Sequence, residues 1–463
     1  VAIICSLTQL ADKSLWFDEA LSAAAARLPF RDLTRFLSEQ AAPVGLYYGL
    51  LHGWVSLGTS EVALRLFSVL WAVGAVAFLV ALGTRLFDRR VGMIAGLVLA
   101  ANAFFVSYAQ EARAYTLAVF LCLAATLAFV RALDGESPRR WAVYGVVAAV
   151  AIYAHYFTGL VLLAHGVSVL LLPRDRRPWR GLVLAGGTGA VLVTPLLIKS
   201  VGQPSLVDWV HPPTPSAVWE FIWLIGGMSV VGVSLYAAAG IWGGLATRRN
   251  RSAHPEWLWG LWLAAAWAFM PPVVALAVSK AFRPVFVPRY LIVALPGVAL
   301  LVGLGLARFR GWLTVVALAV LLAVSGAGLL NWYRTPPRQD WRSVMTYVTA
   351  HDRIGDGLVP VGNAHAGFGT GLGSVSLRYY AGRMAAAFQA RGGDLQRLLQ
   401  NEPVPGDRRR IWLISLRNVI DPSEDAVELA QISDALALQG FHQDRLVSFV
   451  GSYAVMDLAL YVR

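Results

Sequence analysis

Cysteine, lysine and charge are all scarce in this chain. The two cysteines, Cys5 and Cys122, both lie in apolar runs, so no disulfide framework is implied. Lysine occurs only at Lys13, Lys199 and Lys280, which leaves the basic charge to arginine. Charged residues make up 14% of the chain, against about 25% in a soluble domain. Nucleotide-binding loops, metal-ligand spacings and internal repeats are not found. The net charge is +12, yet from Trp332 onward acids and bases nearly cancel. The excess therefore sits in short loops between apolar runs, which fits a bilayer and argues against a nucleic-acid partner.

What the chain has instead is apolar length. It is 57% hydrophobic, with a mean hydropathy of +0.59. Many runs approach the roughly 20 residues needed to cross a bilayer. The pattern predicts a polytopic α-helical membrane protein of about 11 spans. They fall near 1–10, 62–84, 91–108, 115–133, 141–155, 158–172, 181–198, 229–246, 257–278, 290–307 and 312–331. The first run, Val1–Leu10, is short for a span, so that span is expected to be incomplete here. The loops alternate in character. Arg85–Arg90, Arg139–Arg140, Arg174–Arg180, Arg248–Arg251 and Arg308–Arg310 fall on one side, expected to be cytoplasmic. The opposite loops carry Asp18-Glu19, Gln110–Arg113, His155-Tyr156, Lys199–Glu220 and Lys280–Arg289. They are expected to face away from the cytoplasm, at the cell membrane.

Residues 21–40 read as two amphipathic helices broken at Pro29 and lying in the interface. Residues 43–58 and 217–227 read as further surface helices. Trp16 and Phe17 are expected at headgroup level. After Trp332 a small extracytoplasmic α/β domain is predicted. Its helices fall near 340–350 and 425–438, and its strands near 357–362, 410–416, 446–450 and 454–462. The expected domains are 1–331 and 332–463.

The outer loops gather the chemistry. Carboxylates at a membrane boundary are costly enough to suggest a site, and Asp18-Glu19 is the foremost pair. A carboxylate can take a proton from an attacking hydroxyl, a role that suits Asp18, with Glu19 beside it in support. The bland alternative makes Asp18 the N-cap of a helix starting at Ala20. Arginines offer planar forks that match phosphate. Arg289 leads here, with Arg283 and Lys280 as further cations and Tyr290 adjoining. Glu111, Arg113, Tyr115, Tyr47, Tyr48, His155, Tyr156 and Arg65 complete a substrate pocket, its tyrosines suited to stacking on a sugar. The bland readings are a Glu111–Arg113 pair and a Glu61–Arg65 pair. Asp18, Glu19 and Glu111 could supply oxygen ligands to Mg²⁺ or Mn²⁺, although no spacing requires a metal. A base and a phosphate clamp at a lipid surface fit transfer of a sugar from a lipid phosphate to a hydroxyl. A transporter, flippase or non-catalytic lipid-glycan scaffold is the alternative.

Four motifs in order carry a resemblance: Leu15-Trp16-Phe17-Asp18-Glu19-Ala20, Pro43-Val44-Gly45-Leu46-Tyr47-Tyr48, Glu61–Leu66 and Tyr108-Ala109-Gln110-Glu111-Ala112-Arg113-Ala114-Tyr115. With Phe286–Leu291 before a late span, they resemble the GT-C glycosyltransferases. Family 39 is nearest, with its protein O-mannosyltransferases and lipid A aminoarabinose transferase. The resemblance covers about residues 12–331. It implies an inverting membrane transferase that takes a sugar, mannose foremost, from a polyprenyl-phosphate donor to a protein, lipid or glycan acceptor. It also implies that Asp18 is the base. Relatives often carry His-Pro-Pro-Leu-Tyr-Tyr where this chain has Ala41–Tyr48, so the contact of that histidine is missing.

Overall fold

The computed structural model describes residues 1–41, 44–135, 137–200, 210–250, 252, 254–353, 355–361, 372–381, 408–418 and 426–463. Pro43 of the second motif and Ala42 before it, Arg251, residues 201–209 of the segment between Lys199 and Glu220, Gly362 and Asp425 fall outside them. The chain forms two compact units. One contains Val1–Thr8, Pro29–Gly58 and Ala63–Tyr333; the other contains Gln9–Leu28, Thr59–Val62 and Arg334–Arg463. The unit that holds the C-terminal residues thus also takes in the acidic pair and Glu61.

The first unit is helical. Helices stand at every position expected to span, from Ala2–Leu7 to Trp312–Arg334. Among the described residues, seven are long and apolar enough to cross a membrane, or eight if one bent pair is a single span. Length and composition therefore do not yield about 11 spans. Pro138–Ala154 and Thr158–Leu170 are the shorter members. Trp179–Ser200, by contrast, is a full 22 residues.

The bent pair is Arg89–Ala101 with Ala103–Ala109, at 64°. Asn102 causes the break. It is fully buried, its side-chain oxygen accepts from the Phe105 N–H at 3.1 Å, and its amide donates to the Ile225 carbonyl at 3.0 Å. A side chain that caps a new helix start ends the old helix axis there. The short second helix delivers the turn carrying Glu111 and Arg113.

Val230–Arg249 and Leu295–Leu306 pack through facing glycines. A Cβ on Gly305 would meet the Ala239 carbonyl oxygen at 1.9 Å, and one on Gly243 would meet the Gly305 nitrogen at 2.7 Å. Small residues let membrane helices approach this closely.

The second unit is built on a four-stranded sheet, with β1 (Gly357–Val361), β2 (Arg410–Asn418), β3 (His442–Val450) and β4 (Ala454–Val462) in the order β1-β2-β4-β3. β1 and β2 are parallel, with Gly357 opposite Ile411; the other pairings are antiparallel. Because side chains alternate along a strand, β2 feeds two cores. Trp412, Ile414 and Leu416 meet Trp341, Val344 and Leu377 on one face. Ile411 and Leu413 meet Ile432 and Leu436 on the other. Helices Trp341–His351 and Leu372–Ala381 thus share one face, and Ala426–Leu438 covers the opposite one. The strand expected at 446–450 begins earlier, at His442. Its exposed N-terminal half has no apolar alternation to reveal it.

Candidate active site

In the helical unit, Arg113, Tyr115, His155, Arg289 and Tyr290 converge on one aromatic and cationic cluster, with Tyr47 and Tyr48 beside it. The Gln110–Ala114 turn presents Glu111 and Arg113, and the helix Tyr115–Leu133 begins on Tyr115. Pro288–Ala294 forms a 3₁₀ helix that opens with Pro288, whose fixed φ suits a helix start, and places Arg289 and Tyr290 together. His155 closes the helix Pro138–Ala154 in the turn before Thr158. Tyr115 and Tyr290 stack at 6.3 Å and 28°, and His155 meets Tyr290 edge-on at 5.0 Å. The Arg113 guanidinium lies 6.0 Å from the Tyr115 ring centre, and that of Arg289 lies 5.5 Å from Tyr290. Arg113 also donates to the Tyr48 hydroxyl at 3.3 Å. Tyr47 packs edge-on against Tyr48 at 6.0 Å.

His155 reports the electrostatics of this cluster. Burial first, then the charges of Arg113 and Arg289, push its pKa down to about 3. The Phe157 N–H donates to Nδ1 at 3.3 Å, so the proton of the neutral ring resides on Nε2. We expect a ¹⁵N-imidazole titration to show His155 neutral from about pH 5 to about pH 8, where a free histidine would titrate. Arg289→Gln should raise its pKa only in part, because burial is the larger cause.

The other expected residues are placed differently. Arg65 is buried near the start of Glu61–Leu86, and Glu111 is buried with its carbonyl accepting from the Arg113 N–H at 2.8 Å. Tyr156 turns to the Ser200 hydroxyl. Lys280 stands exposed in the last turn of Pro255–Ala281, and Arg283 stands exposed just after it. The cations that act on His155 are Arg113 and Arg289. Phe157, which no motif marks, contacts Tyr290 at 5.2 Å; its position beside His155 was the available signal.

Next to this cluster is an apolar cavity of about 690 Å³ in the same unit. Phe221 and Phe286 line it, and Phe157 packs against the apolar cluster to which both belong; Tyr236, Leu301, Trp262 and Arg248 also line it. From Val233 to Arg248 one helix lines it over roughly 22 Å at 1.5 Å per residue.

The acidic pair lies in the second unit. The helix begins at Phe17, not Ala20, so Asp18 and Glu19 occupy its first turn and Asp18 is not the N-cap. Acids there oppose the positive end of the helix dipole favourably. Asp18 is half-buried and Glu19 is buried. Trp16, the N-cap residue, makes no side-chain cap. The Gln339 side-chain oxygen instead accepts from the Phe17 N–H at 3.1 Å, meeting a donor that a helix start leaves open. Trp16, expected at headgroup level, is covered by protein. It is 7% exposed, with the Arg338 guanidinium 4.6 Å from its ring and Tyr453 at 6.3 Å. Glu61 pairs with Arg342 and accepts from the Tyr380 hydroxyl. Burial, then that bond to Glu61, raises the Tyr380 phenol above its usual range, so its hydroxyl keeps its proton.

Among the described residues, no three His, Cys, Asp or Glu side chains are grouped to hold a metal ion.

Residues 42–198, about a third of the chain, match the family model described as dolichyl-phosphate-mannose-protein mannosyltransferase. No curated protein matches the sequence. The fold is similar to that of ArnT from Cupriavidus metallidurans bound to undecaprenyl phosphate. That match has 14% identity and a TM-score of 0.58, over 99% of this chain and 96% of that one. It is also similar to the arabinofuranosyltransferase AftD from Mycobacteria, with 17% identity and a TM-score of 0.51, over 100% of this chain and 41% of that one. The oligosaccharyltransferase AglB from Archaeoglobus fulgidus, in complex with an inhibitory peptide and a dolichol-phosphate, matches at 11% identity and a TM-score of 0.51. That match covers 98% of this chain and 73% of that one. The resemblance to GT-C glycosyltransferases read from the sequence is borne out.

Proposed function

We propose that this chain is an integral-membrane glycosyltransferase that moves a sugar from a polyprenyl phosphate to an acceptor hydroxyl on the extracytoplasmic side. The observation that carries the reading is the pair Arg113 and Arg289, set around neutral His155 and stacked tyrosines, with a long apolar cavity in the same unit. Fixed guanidinium groups suit a phosphate, tyrosine faces suit a sugar, and the cavity suits a polyprenyl tail. The five arginine-bearing loops that fall on one side support the orientation.

In this reading Asp18 removes the acceptor's proton as its oxygen attacks the anomeric carbon. The bond from that carbon to the phosphate oxygen breaks, and the lipid phosphate leaves with the electron pair, its charge held by Arg289 and Arg113. A single displacement inverts the anomeric centre. A phosphate is already a good leaving group, so no protein acid is required. Mannose is the favoured sugar because of the description of the matching family model.

The test is turnover. Purified protein in lipid nanodiscs is supplied with polyprenyl-phosphate mannose or polyprenyl-phosphate arabinose and a hydroxyl acceptor. Release of polyprenyl phosphate with one of them is expected. Failure to consume any polyprenyl-phosphate sugar would turn the reading towards transport or scaffolding.

A further inference from the structure

The loop that leads into the acidic pair is held along its whole length by the C-terminal residues. Arg342 donates to the carbonyls of Ala11, Asp12 and Lys13 at 2.8, 3.3 and 3.1 Å. The Ser14 hydroxyl donates to the Gln339 carbonyl at 2.6 Å, and the Leu15 N–H donates to the Tyr380 hydroxyl. Trp16 stacks with Arg338, and the Phe17 N–H reaches the Gln339 side chain. Each residue from Ala11 to Phe17 is therefore engaged, and Asp18 is the next residue.

The holding groups are themselves anchored. The Pro337 and Arg338 carbonyls accept from the Ser452 and Tyr453 N–H groups at 2.9 and 3.1 Å, in the turn that joins β3 to β4. Gln339 Oε1 also accepts from the Trp341 indole at 3.1 Å, and Trp341 is 1% exposed in the sheet's core. The Tyr380 hydroxyl is oriented by donating to Glu61, which Arg342 also binds. Helix Leu372–Ala381, which carries Tyr380, packs on helix Phe17–Ala26.

We propose that Gln339 and Tyr380 are positioning residues for the acidic pair, so that the C-terminal sheet sets the aim of the Asp18 carboxylate. This proposal rests on Asp18 being the base. A helix start capped from within its own loop would move with that loop. Here the cap and the preceding amide are held by a rigid core more than three hundred residues away in sequence, which is the kind of support a catalytic group needs.

The test compares Tyr380→Phe, Gln339→Ala and Gln339→Glu in the full chain, with Arg417→Gln as a control at an exposed position on β2 of the same sheet. Tyr380→Phe keeps the ring and its packing on Tyr379, and removes the hydroxyl that both receives the Leu15 N–H and donates to Glu61. Hydrogen exchange of the peptide covering Leu15–Glu19 should accelerate about tenfold or more in Tyr380→Phe and Gln339→Ala. It should be unchanged in Arg417→Gln. In the same two variants kcat should fall about 10- to 100-fold with the donor KM unchanged, as expected for a misplaced group. Gln339→Glu, which keeps an acceptor oxygen, should recover most of the rate. Unchanged exchange in both loss variants overturns the clamp. Faster exchange with unaltered kcat overturns its role in aiming Asp18. Asp18→Asn separates the premise: if that variant is active, the base assignment fails, whereas the exchange result still decides whether the loop is clamped.

Discussion

Asp18→Asn should lower sugar transfer by about a thousandfold while leaving donor affinity within about twofold, because a positioned base contributes roughly 10²- to 10⁴-fold. The amide has nearly the same shape as the carboxylate and cannot take the acceptor's proton. Structural damage would be small. Asp18 is half-buried in the first turn of Phe17–Ala26 and is not its cap. Loss of a first-turn negative charge costs only about 0.3–1 kcal/mol. A large loss of rate beside a small change in thermal stability is therefore specific to chemistry. Initial rates with polyprenyl-phosphate sugar, and separate donor-binding measurements, check it. Equal rates in the two proteins would remove Asp18 as the base.

The second large effect is expected at the phosphate. Arg289→Gln should weaken donor binding about 10- to 100-fold, since a hydrogen bond to a charged group is worth roughly 1.5–3 kcal/mol. Arg113→Gln should behave similarly, and the double variant should lose more than either. Arg289→Lys should restore little, because a point charge on a flexible stem does not reproduce the planar fork. Arg289 is held beside Tyr290 in a 3₁₀ helix, so its fork is pre-oriented. Lys280→Gln and Arg283→Gln are the contrast: both residues are exposed, and water and salt screen such charges, so a change below about threefold is expected. Donor titrations at two salt concentrations check the set. Full activity of Arg289→Lys would reduce Arg289 to general attraction for anionic lipid.

Much of this site was visible in the sequence because membrane proteins concentrate polar residues where they are needed. Arg113, Tyr115, His155, Arg289 and Tyr290 stand out against apolar neighbours, and the structure gathers all five. Tyr156 and Lys280 stood out equally, but one turns to Ser200 and the other to the surface. Polarity marks a loop, and the path of the backbone decides which way each side chain turns. The Glu61–Arg65 pair shows the same limit. Spacing along a helix suggested it, but gave no sign that Arg342 and Tyr380 also bind Glu61. An ion pair between residues so far apart leaves no periodic trace.

The sequence by itself determined the apolar helices, the arginine-rich character of alternate loops and the strands with apolar alternation, because hydropathy, charge and period are local properties. Only the tertiary structure decided that Trp16 is sealed under Arg338, that Gln339 caps the helix bearing Asp18, and that Asn102 bends its helix pair to present Arg113. These depend on which distant side chain fills an open hydrogen-bond donor or ring face. That is settled by packing the whole chain, and no window of residues contains it.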